Sequence, residues 1–198
     1  MRVISRPDEV VAALEDPAYS VPPAAPAATG VAWLRSHVAR FSEGAEHERR
    51  RALAVDILDK IDPDRLRTAS GDNPTAVLAG ALGVNGVFDD VAAVAAVYLQ
   101  GDSADADAAV ERLVTAFGGV HDEETAARIG LLVQGHTATA ALVARAAHPV
   151  PGTRRLDPDG DLVFLDFTGD RNLAFGAGRH RCPGKLHALA IAEGLDGR

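Results

Sequence analysis

The sequence is poor in cysteine and aromatic residues and has no long apolar run. Its 198 residues include one cysteine, which excludes an internal disulfide. Aromatic residues make up 5% of the chain, whereas hydrophobic residues reach 47%, enough for a packed core. The apolar runs are far shorter than a membrane span, and the first ten residues lack the apolar core of a secretory signal. We therefore expect a soluble cytoplasmic protein.

The chain also has fewer basic than acidic residues. Lys and Arg number 20 against 28 Asp and Glu, which gives a formal net charge of −8. This balance argues against nonspecific binding to nucleic acid or to an anionic membrane surface. The length favours a single domain over residues 1–198. The sequence contains no G-x-S-x-G, P-loop, H-E-x-x-H or C-x-x-C motif. It therefore gives no support to the hydrolase, nucleotide-binding or metal-binding classes that these motifs mark.

The spacing of apolar residues predicts a mostly α protein with a minor β element. A connector, "SVPPAAPAATG", carries too many prolines to be helical. One strand is predicted over 162–167, with a hairpin partner over 153–156 across the turn sequence "DPDG". Helices are predicted over 6–17, 31–41, from about Ala45, over 74–82, 89–99, 106–117 and 122–147, and after Gly184.

The single thiol lies in an unusual loop, "FGAGRHRCPG", at residues 175–184. Its glycines allow backbone conformations that are closed to other residues and a close approach to a flat ligand. Cys182 comes just before a predicted helix, where the helix dipole and free N–H groups stabilise a thiolate. A thiolate is the form that ligates iron. The alternative interpretation is an inert, buried cysteine.

This loop resembles the cysteine-ligand loop of the cytochrome P450 family. The resemblance implies a heme b cofactor (iron protoporphyrin IX) and a reduced P450-like helical fold with a minor β element before the loop. It implies that Cys182 is the axial ligand of the heme iron, that Phe175 packs beside the thiolate and that His180 contacts a heme propionate. The family pattern F-G-x-G-x-H-x-C-x-G is met at Phe175, Gly176, Gly178, His180, Cys182 and Gly184.

Two further segments resemble propionate-binding parts of the same family. "GAEHERRRAL" is similar to its helix-C segment, which implies that His47 and Arg51 hold a propionate. A solvated charge run on a helix is the alternative. "PVPGTRRL" is similar to the strand that supplies another propionate-binding arginine, which implies Arg155, with Arg154 as a rival. Arginine suits a carboxylate because its guanidinium donates two parallel hydrogen bonds.

"LLVQGHTATAAL" resembles the distal helix of the family, whose pattern is A/G-G-x-D/E-T-T/S. Gly135 matches the glycine that lets the helix bend over the iron, but Thr137 stands at the acid position and Ala138 at the next. Because the lost pair relays protons to bound oxygen, we expect atypical oxygen activation. His136 is able to act as acid or base, or else points into the packing. The candidate distal residues are Gln134, His136, Thr137 and Thr139, of which the last three are the candidate catalytic residues.

The chain also departs from the family in length. Only "VARAAHP" separates the distal segment from "PVPGTRR", so the helix that carries the family's E-x-x-R motif is missing. The resemblance is therefore to an unusually short, internally truncated member with an open pocket. A homodimer that covers the missing surface through the helices over 89–99 and 106–117 is one expectation.

The resemblance implies a heme-thiolate oxidoreductase, a monooxygenase-like enzyme of bacterial secondary metabolism. Its partners would be a small-molecule substrate and either a redox partner protein or peroxide, and non-oxygenating chemistry stays open. The alternatives are a heme sensor or carrier without catalysis and a degenerate accessory protein to a partner enzyme. A zinc site at Cys182, His180 and His187 is a further, weaker alternative.

Overall fold

The structure, a computed structural model, describes residues 1–196 and confirms a mostly α fold with one small sheet. Short 3-10 helices lie at Ala39–Phe41, Arg171–Phe175 and Gly178–His180. The strands are β1 (Arg2–Ile4), β2 (Gly152–Leu156) and β3 (Leu162–Asp166). The helices are α1 (Pro7–Glu15), α2 (Gly30–Ser36), α3 (Gly44–Leu58), α4 (Pro63–Thr68), α5 (Pro74–Ala81), α6 (Phe88–Val97), α7 (Ala104–Ala116), α8 (Glu123–Val143) and α9 (Lys185–Asp196).

The sheet has the strand order β1-β3-β2. β2 and β3 form the predicted antiparallel hairpin, with Thr153 opposite Leu165. Asp157 closes the turn because its carboxylate accepts the N–H groups of Asp159 and Asp161. β1 pairs in parallel with β3 and was not predicted, since three residues are too few to show an alternating pattern. The sheet therefore joins the start of the chain to the segment before the cysteine loop.

The main core lies between α2, α6, α7 and α8. Trp33, Val91, Leu113 and Ile129, one from each helix, are at most 2% exposed. The apolar faces of α6 and α7 are thus buried within the chain itself. The structure therefore gives no support to the homodimer that was expected through these two helices.

The helix predicted over 31–41 ends early, at Ser36. The side chains of Ser36 and His37 both donate to the carbonyl of Trp33, at 2.9 Å in each case. Side-chain bonds of this kind compete with continuation of a helix. The chain turns there, and the short helix Ala39–Phe41 carries Arg40 towards β2.

The helix predicted over 122–147 ends early, at Val143, and residues 144–151 connect α8 to β2 without a helix. Among the helices of residues 1–196, none is both long and apolar enough to cross a membrane.

The start of α2 is held by acids of α7. Asp107 accepts the N–H of Val31 at 2.8 Å, and Glu111 accepts the N–H of Gly30 at 3.1 Å. A carboxylate here satisfies free N–H groups and complements the positive end of the helix.

We predict that Asp107→Ala lowers the free energy of unfolding by about 1–2 kcal/mol, the usual cost of losing a helix N-cap. Urea unfolding followed by circular dichroism measures this. Asp105→Ala, which removes an exposed acid from the same helix, is the matched control and should cost less. Equal losses in the two variants would contradict the prediction.

Candidate functional site

The cysteine loop is held in a fixed conformation by its own backbone and by α1. The N–H of Cys182 donates to the carbonyl of Phe175 at 2.8 Å. Gly176 and Gly178 adopt φ values of 65° and 62°, which favour glycine. A Cβ on Gly178 would lie 2.3 Å from the carbonyl oxygen of Leu14. Both glycines are therefore required by the path of the backbone.

The other end of the loop packs against α3 and α9. A Cβ on Gly184 would contact the side chain of Leu58 in α3 at 3.6 Å. The ammonium of Lys185, at the start of α9, lies 5.3 Å from the ring centroid of Phe175. Cys182 is exposed between these two supports, so its thiol is free to meet a ligand.

Although Cys182 is exposed as a residue, the surrounding chain desolvates its sulfur in part, which raises the pKa of the thiol above its ordinary value. A hydrogen bond from the N–H of Gly184 and the charge of Arg51 lower the pKa, but by less. The sequence predicted a helix after Gly184, and α9 does begin at Lys185, but the stabilisation of a thiolate expected from this helix start is smaller than the effect of desolvation. The protein alone thus keeps the thiol protonated at neutral pH, and a bound metal cation would favour the thiolate.

The candidate propionate residues from three separate segments come together in one buried cluster. The rings of His47 in α3 and His180 in the cysteine loop lie 4.1 Å apart, centroid to centroid. His47 is only 3% exposed, and its Nε2 has no hydrogen-bond partner among the described residues. Burial, with repulsion from His47 and Arg155, lowers the pKa of His180 to about 4. Burial and the charge of Arg51 likewise lower the pKa of His47.

Arg155 in β2 is the arginine that faces this cluster. It is 4% exposed, and it donates to the hydroxyl of Thr153 at 3.0 Å and to the carbonyl of Arg154 at 2.8 Å. Burial and the nearby Arg40 lower the pKa of Arg155 to about 10, so it stays charged at neutral pH. Its rival Arg154 points elsewhere and donates to Gln100 at 2.6 Å.

Arg40 is a member of the cluster that the sequence analysis missed. It donates to the same Thr153 hydroxyl at 3.2 Å, and burial lowers the pKa of its guanidinium. Among the described residues, neither Arg40 nor Arg155 has a hydrogen-bonded carboxylate. Buried charges are usually paired, so two guanidiniums that share one neutral hydroxyl leave room for an anion. No motif surrounds Arg40, and only the turn after α2 brings it here.

Arg51, one turn after His47 in α3, connects the cluster to the thiol. Its charge lowers the pKa of both His47 and Cys182, so it lies within electrostatic reach of each. The arrangement can therefore hold an anionic group on one side and a metal at the sulfur on the other.

Glu43 is the carboxylate that holds this site together. It accepts the N–H of Val21 at 2.7 Å, two hydrogen bonds from Arg179 at 2.8 and 3.2 Å, and a contact from the Nε2 of His180 at 3.3 Å. Burial alone would raise the pKa of Glu43, but the hydrogen bonds from Arg179 and Val21 lower it to about 2. Glu43 is also the residue that precedes the first turn of α3.

The candidate distal helix, α8, has one open face and one packed face. At about 100° per residue, Gly130, Gln134 and Thr137 share a face, while His136 and Thr139 lie on the other side. Gly130 meets Val38, whereas Gln134 and Thr137 are exposed one and two turns further on. This face is turned towards the segment that carries Arg40.

The packed face of α8 carries the remaining candidate distal residues. The Nδ1 of His136 lies 2.8 Å from the hydroxyl of Thr75 in α5, and Thr139 is 5% exposed. A Cβ on Gly135 would contact Leu78 of α5 at 3.6 Å, and α8 continues through Gly135 without interruption. The structure therefore places Thr137 on the open face, and Gly135, His136 and Thr139 against neighbouring helices.

The residues proposed for zinc do not form a cluster. The Nε2 of His187 lies 3.0 Å from the carbonyl oxygens of both Leu58 and Ile61, so this nitrogen is already used as a donor. Within residues 1–196, no group of three His, Cys, Asp or Glu side chains is placed to hold a metal ion.

Comparison with known proteins identifies the fold. No family model and no curated protein sequence matches the chain. Among solved structures, P450BioI in complex with an acyl carrier protein matches with a TM-score of 0.73 and 15% identity, over 98% of this chain and 82% of that one. Epothilone D-bound cytochrome P450epoK matches with a TM-score of 0.65 and 15% identity, over 98% and 82%.

A third similar structure is the cytochrome P450 CxnD, an enzyme for C–S bond formation in chuangxinmycin biosynthesis. Its TM-score is 0.62 at 16% identity, and the match covers 98% of this chain and 78% of that one. The chain thus has the cytochrome P450 fold in a short form, which confirms the resemblance carried by the cysteine loop.

We predict that Glu43→Gln lowers the free energy of unfolding at pH 7 by about 1–2 kcal/mol, since it weakens the hydrogen bonds to the half-buried guanidinium of Arg179. The pKa of Glu43 is about 2 in the folded chain against an ordinary value of 4.5, so its contribution is present above pH 4.5 and is lost as pH falls towards 2. Urea unfolding at a series of pH values should show the gap between wild type and variant shrinking below pH 4.5.

Glu46→Gln, which changes an exposed acid in the same helix, is the control for this series. The role given to Glu43 is wrong if both variants lose the same stability, or if the gap does not depend on pH.

Proposed function

We propose that the chain binds heme b with Cys182 as the axial ligand of the iron. The observation that carries this proposal is the cluster of Arg40, Arg155, His47 and His180 beside the cysteine loop, in which His47 and Arg155 are buried and the other two half-buried. Its two guanidiniums lack a carboxylate partner, and the Nε2 of His47 has no partner among the described residues. The two propionates of heme are the anions that such a donor set fits.

The roles of the residues follow from their places. Heme with a thiolate ligand, when bound, supplies redox and oxygen chemistry that no side chain provides. Cys182 supplies the sulfur, and Gly176 and Gly178 hold its loop in position. Arg155 and Arg40 would donate to one propionate, while His47 and Arg51 would donate to the other. On the open face of α8, Thr137 offers a hydroxyl that can donate or accept a proton.

The reaction we propose is that of a monooxygenase-like oxidoreductase acting on a small organic molecule. The similar structures support this class, since CxnD serves C–S bond formation in chuangxinmycin biosynthesis and P450epoK is bound to epothilone D. A role in bacterial secondary metabolism fits these two. In the distal-helix pattern an acid that relays protons occupies the position of Thr137. Its replacement favours chemistry driven by peroxide, or chemistry without oxygen transfer, as much as monooxygenation with electrons from a redox partner protein.

A heme sensor or carrier is the second candidate function. The exposure of Cys182 and of the open face of α8 supports it, because an open site admits a small ligand without needing a substrate cavity. Reversible gas binding without oxidation of any substrate would favour this function over the enzyme.

We predict that the reduced, carbon-monoxide-bound protein shows a Soret band shifted far to the red, the mark of a thiolate ligand. Cys182→Ser should lose that shift, because a hydroxyl does not replace the thiolate as a donor. Absorption spectroscopy of both proteins, expressed with ample heme, measures this. His148→Gln, at an exposed histidine outside the loop, is the control and should keep the band. Identical spectra for wild type and Cys182→Ser would refute the ligand assignment.

We predict opposite effects of Arg155→Met on stability and on heme binding. Methionine removes a buried charge without a carboxylate partner, so the heme-free protein should keep its free energy of unfolding or gain about 1 kcal/mol. Heme affinity should fall about tenfold or more, because a charged hydrogen bond worth about 1.5–3 kcal/mol is lost. Heme titration and urea unfolding measure the two effects.

Arg154→Met is the matched control, since Arg154 points away from the cluster. It should change neither quantity. Unchanged heme affinity in Arg155→Met would remove Arg155 from the propionate site.

A further inference from the structure

The basic cluster beside the cysteine loop has more positive charge than the surrounding chain neutralises. The charges that act on His47 and Arg155 belong to Arg40, Arg51, Arg179, Glu43 and Glu48. With Arg155 itself, four guanidiniums meet two carboxylates, which leaves an excess of two positive charges. Glu43 is already bonded to Arg179, and Glu48 is exposed. The excess therefore lies on the side of the cluster that faces away from Glu43.

Two of these guanidiniums are held together by a neutral group. Arg40 and Arg155 donate to the same hydroxyl of Thr153, at 3.2 and 3.0 Å. Burial and, after it, the charge of Arg40 lower the pKa of Arg155, so the two guanidiniums oppose each other. A hydroxyl does not compensate two like charges, and an uncompensated buried charge is costly. The pair therefore favours an anion that accepts from both.

An unpaired ring nitrogen lies in the same cluster. His47 is 3% exposed, and its Nε2 has no hydrogen-bond partner among the described residues. Its ring lies 4.1 Å from that of His180, and Arg155 is within electrostatic reach of His180. Because buried polar atoms in proteins nearly always have a partner, this nitrogen points to a ligand. An anion beside Arg155 would accept a hydrogen bond here as well.

The charge and the donors of the cluster select one class of anion. A phosphate group carries roughly −1.5 to −2 charges near pH 7, which matches the excess of positive charge. Its oxygens are arranged so that a planar guanidinium donates to two of them at once. Chloride has a single charge and no directed acceptor positions, so it would leave part of the excess uncompensated. The donors therefore fit a small dianionic oxyanion better than a halide.

We infer that, in the heme-free chain, this cluster binds a small oxyanion of the phosphate class, which has to leave before heme enters. The anion and the heme propionates would use the same donors, Arg40, Arg155 and His47. This competition rests on the proposed function, whereas the binding of the anion by itself does not. Free phosphate around the protein would then control how readily the chain takes up heme.

The test uses inorganic phosphate and the full chain prepared without heme. Phosphate should raise the urea concentration at the midpoint of unfolding, because a ligand that binds only the folded state stabilises it. Phosphate also strengthens the burial of apolar surface in any protein, so the informative quantity is the difference between wild type and variants. Sodium chloride at the same ionic strength corrects for screening.

Arg155→Met and Arg40→Met, which each remove one guanidinium of the pair, should lose most of the rise that phosphate causes in the wild type. Arg154→Met is the matched control and should keep it, because Arg154 donates to Gln100 outside the cluster. Two variants are used so that the result does not depend on the folding of either one. An equal rise in the wild type and in each folded variant of the pair would overturn the inference.

Heme titration in the same buffers separates the inference from the proposed function. At a phosphate concentration about ten times its own dissociation constant, the apparent affinity of the wild type for heme should fall about tenfold. In Arg155→Met, phosphate should have little effect on heme affinity. If the red-shifted Soret band forms and heme affinity does not change with phosphate, the inference is overturned and the proposed function stands. If phosphate stabilises only chains with both guanidiniums but the band never forms, the anion site stands and the proposed function is overturned.

Discussion

The site depends on one carboxylate that is bonded to three parts of the chain. Glu43 begins α3, accepts the N–H of Val21 in the proline-rich connector, and binds Arg179 and His180 of the cysteine loop. Its position fixes where His47 falls, one turn into α3, relative to His180. Without these hydrogen bonds to Glu43, no single side chain would fix the connector, the helix and the loop relative to one another.

Glu43 does not neutralise the cluster that it holds. Arg40 and Arg155 share the hydroxyl of Thr153, and the two histidines stay uncharged at neutral pH because their surroundings oppose a further positive charge. A chain selected for stability alone would fill such a space with apolar side chains. Residues that are less favourable for stability than apolar side chains would be are typical of a binding site.

The cysteine loop was the most predictable part, because the backbone conformation that requires its glycines is set within ten residues of sequence. Arg155 was predicted from the resemblance of its segment to a strand of the cytochrome P450 family, with Arg154 as a rival that only the structure could separate from it. Arg40, Glu43 and the direction of His136 were not, since each depends on how separate helices pack. A sequence pattern describes residues that are close along the chain. Which distant residues come into contact is decided by the end of α2 at Ser36 and by the rotation of α8 about its axis.

The cysteine loop also rests on the start of the chain. Gly178 lies against the carbonyl of Leu14, and Arg179 donates to the carbonyls of Asp16 and Tyr19, about 160 residues earlier. Contacts between such distant residues form slowly and only after the intervening chain is in place. During synthesis, the helices of the core can therefore fold before the loop exists. We therefore expect the thiol to reach its final position late in folding, after α1 and the connector are in place.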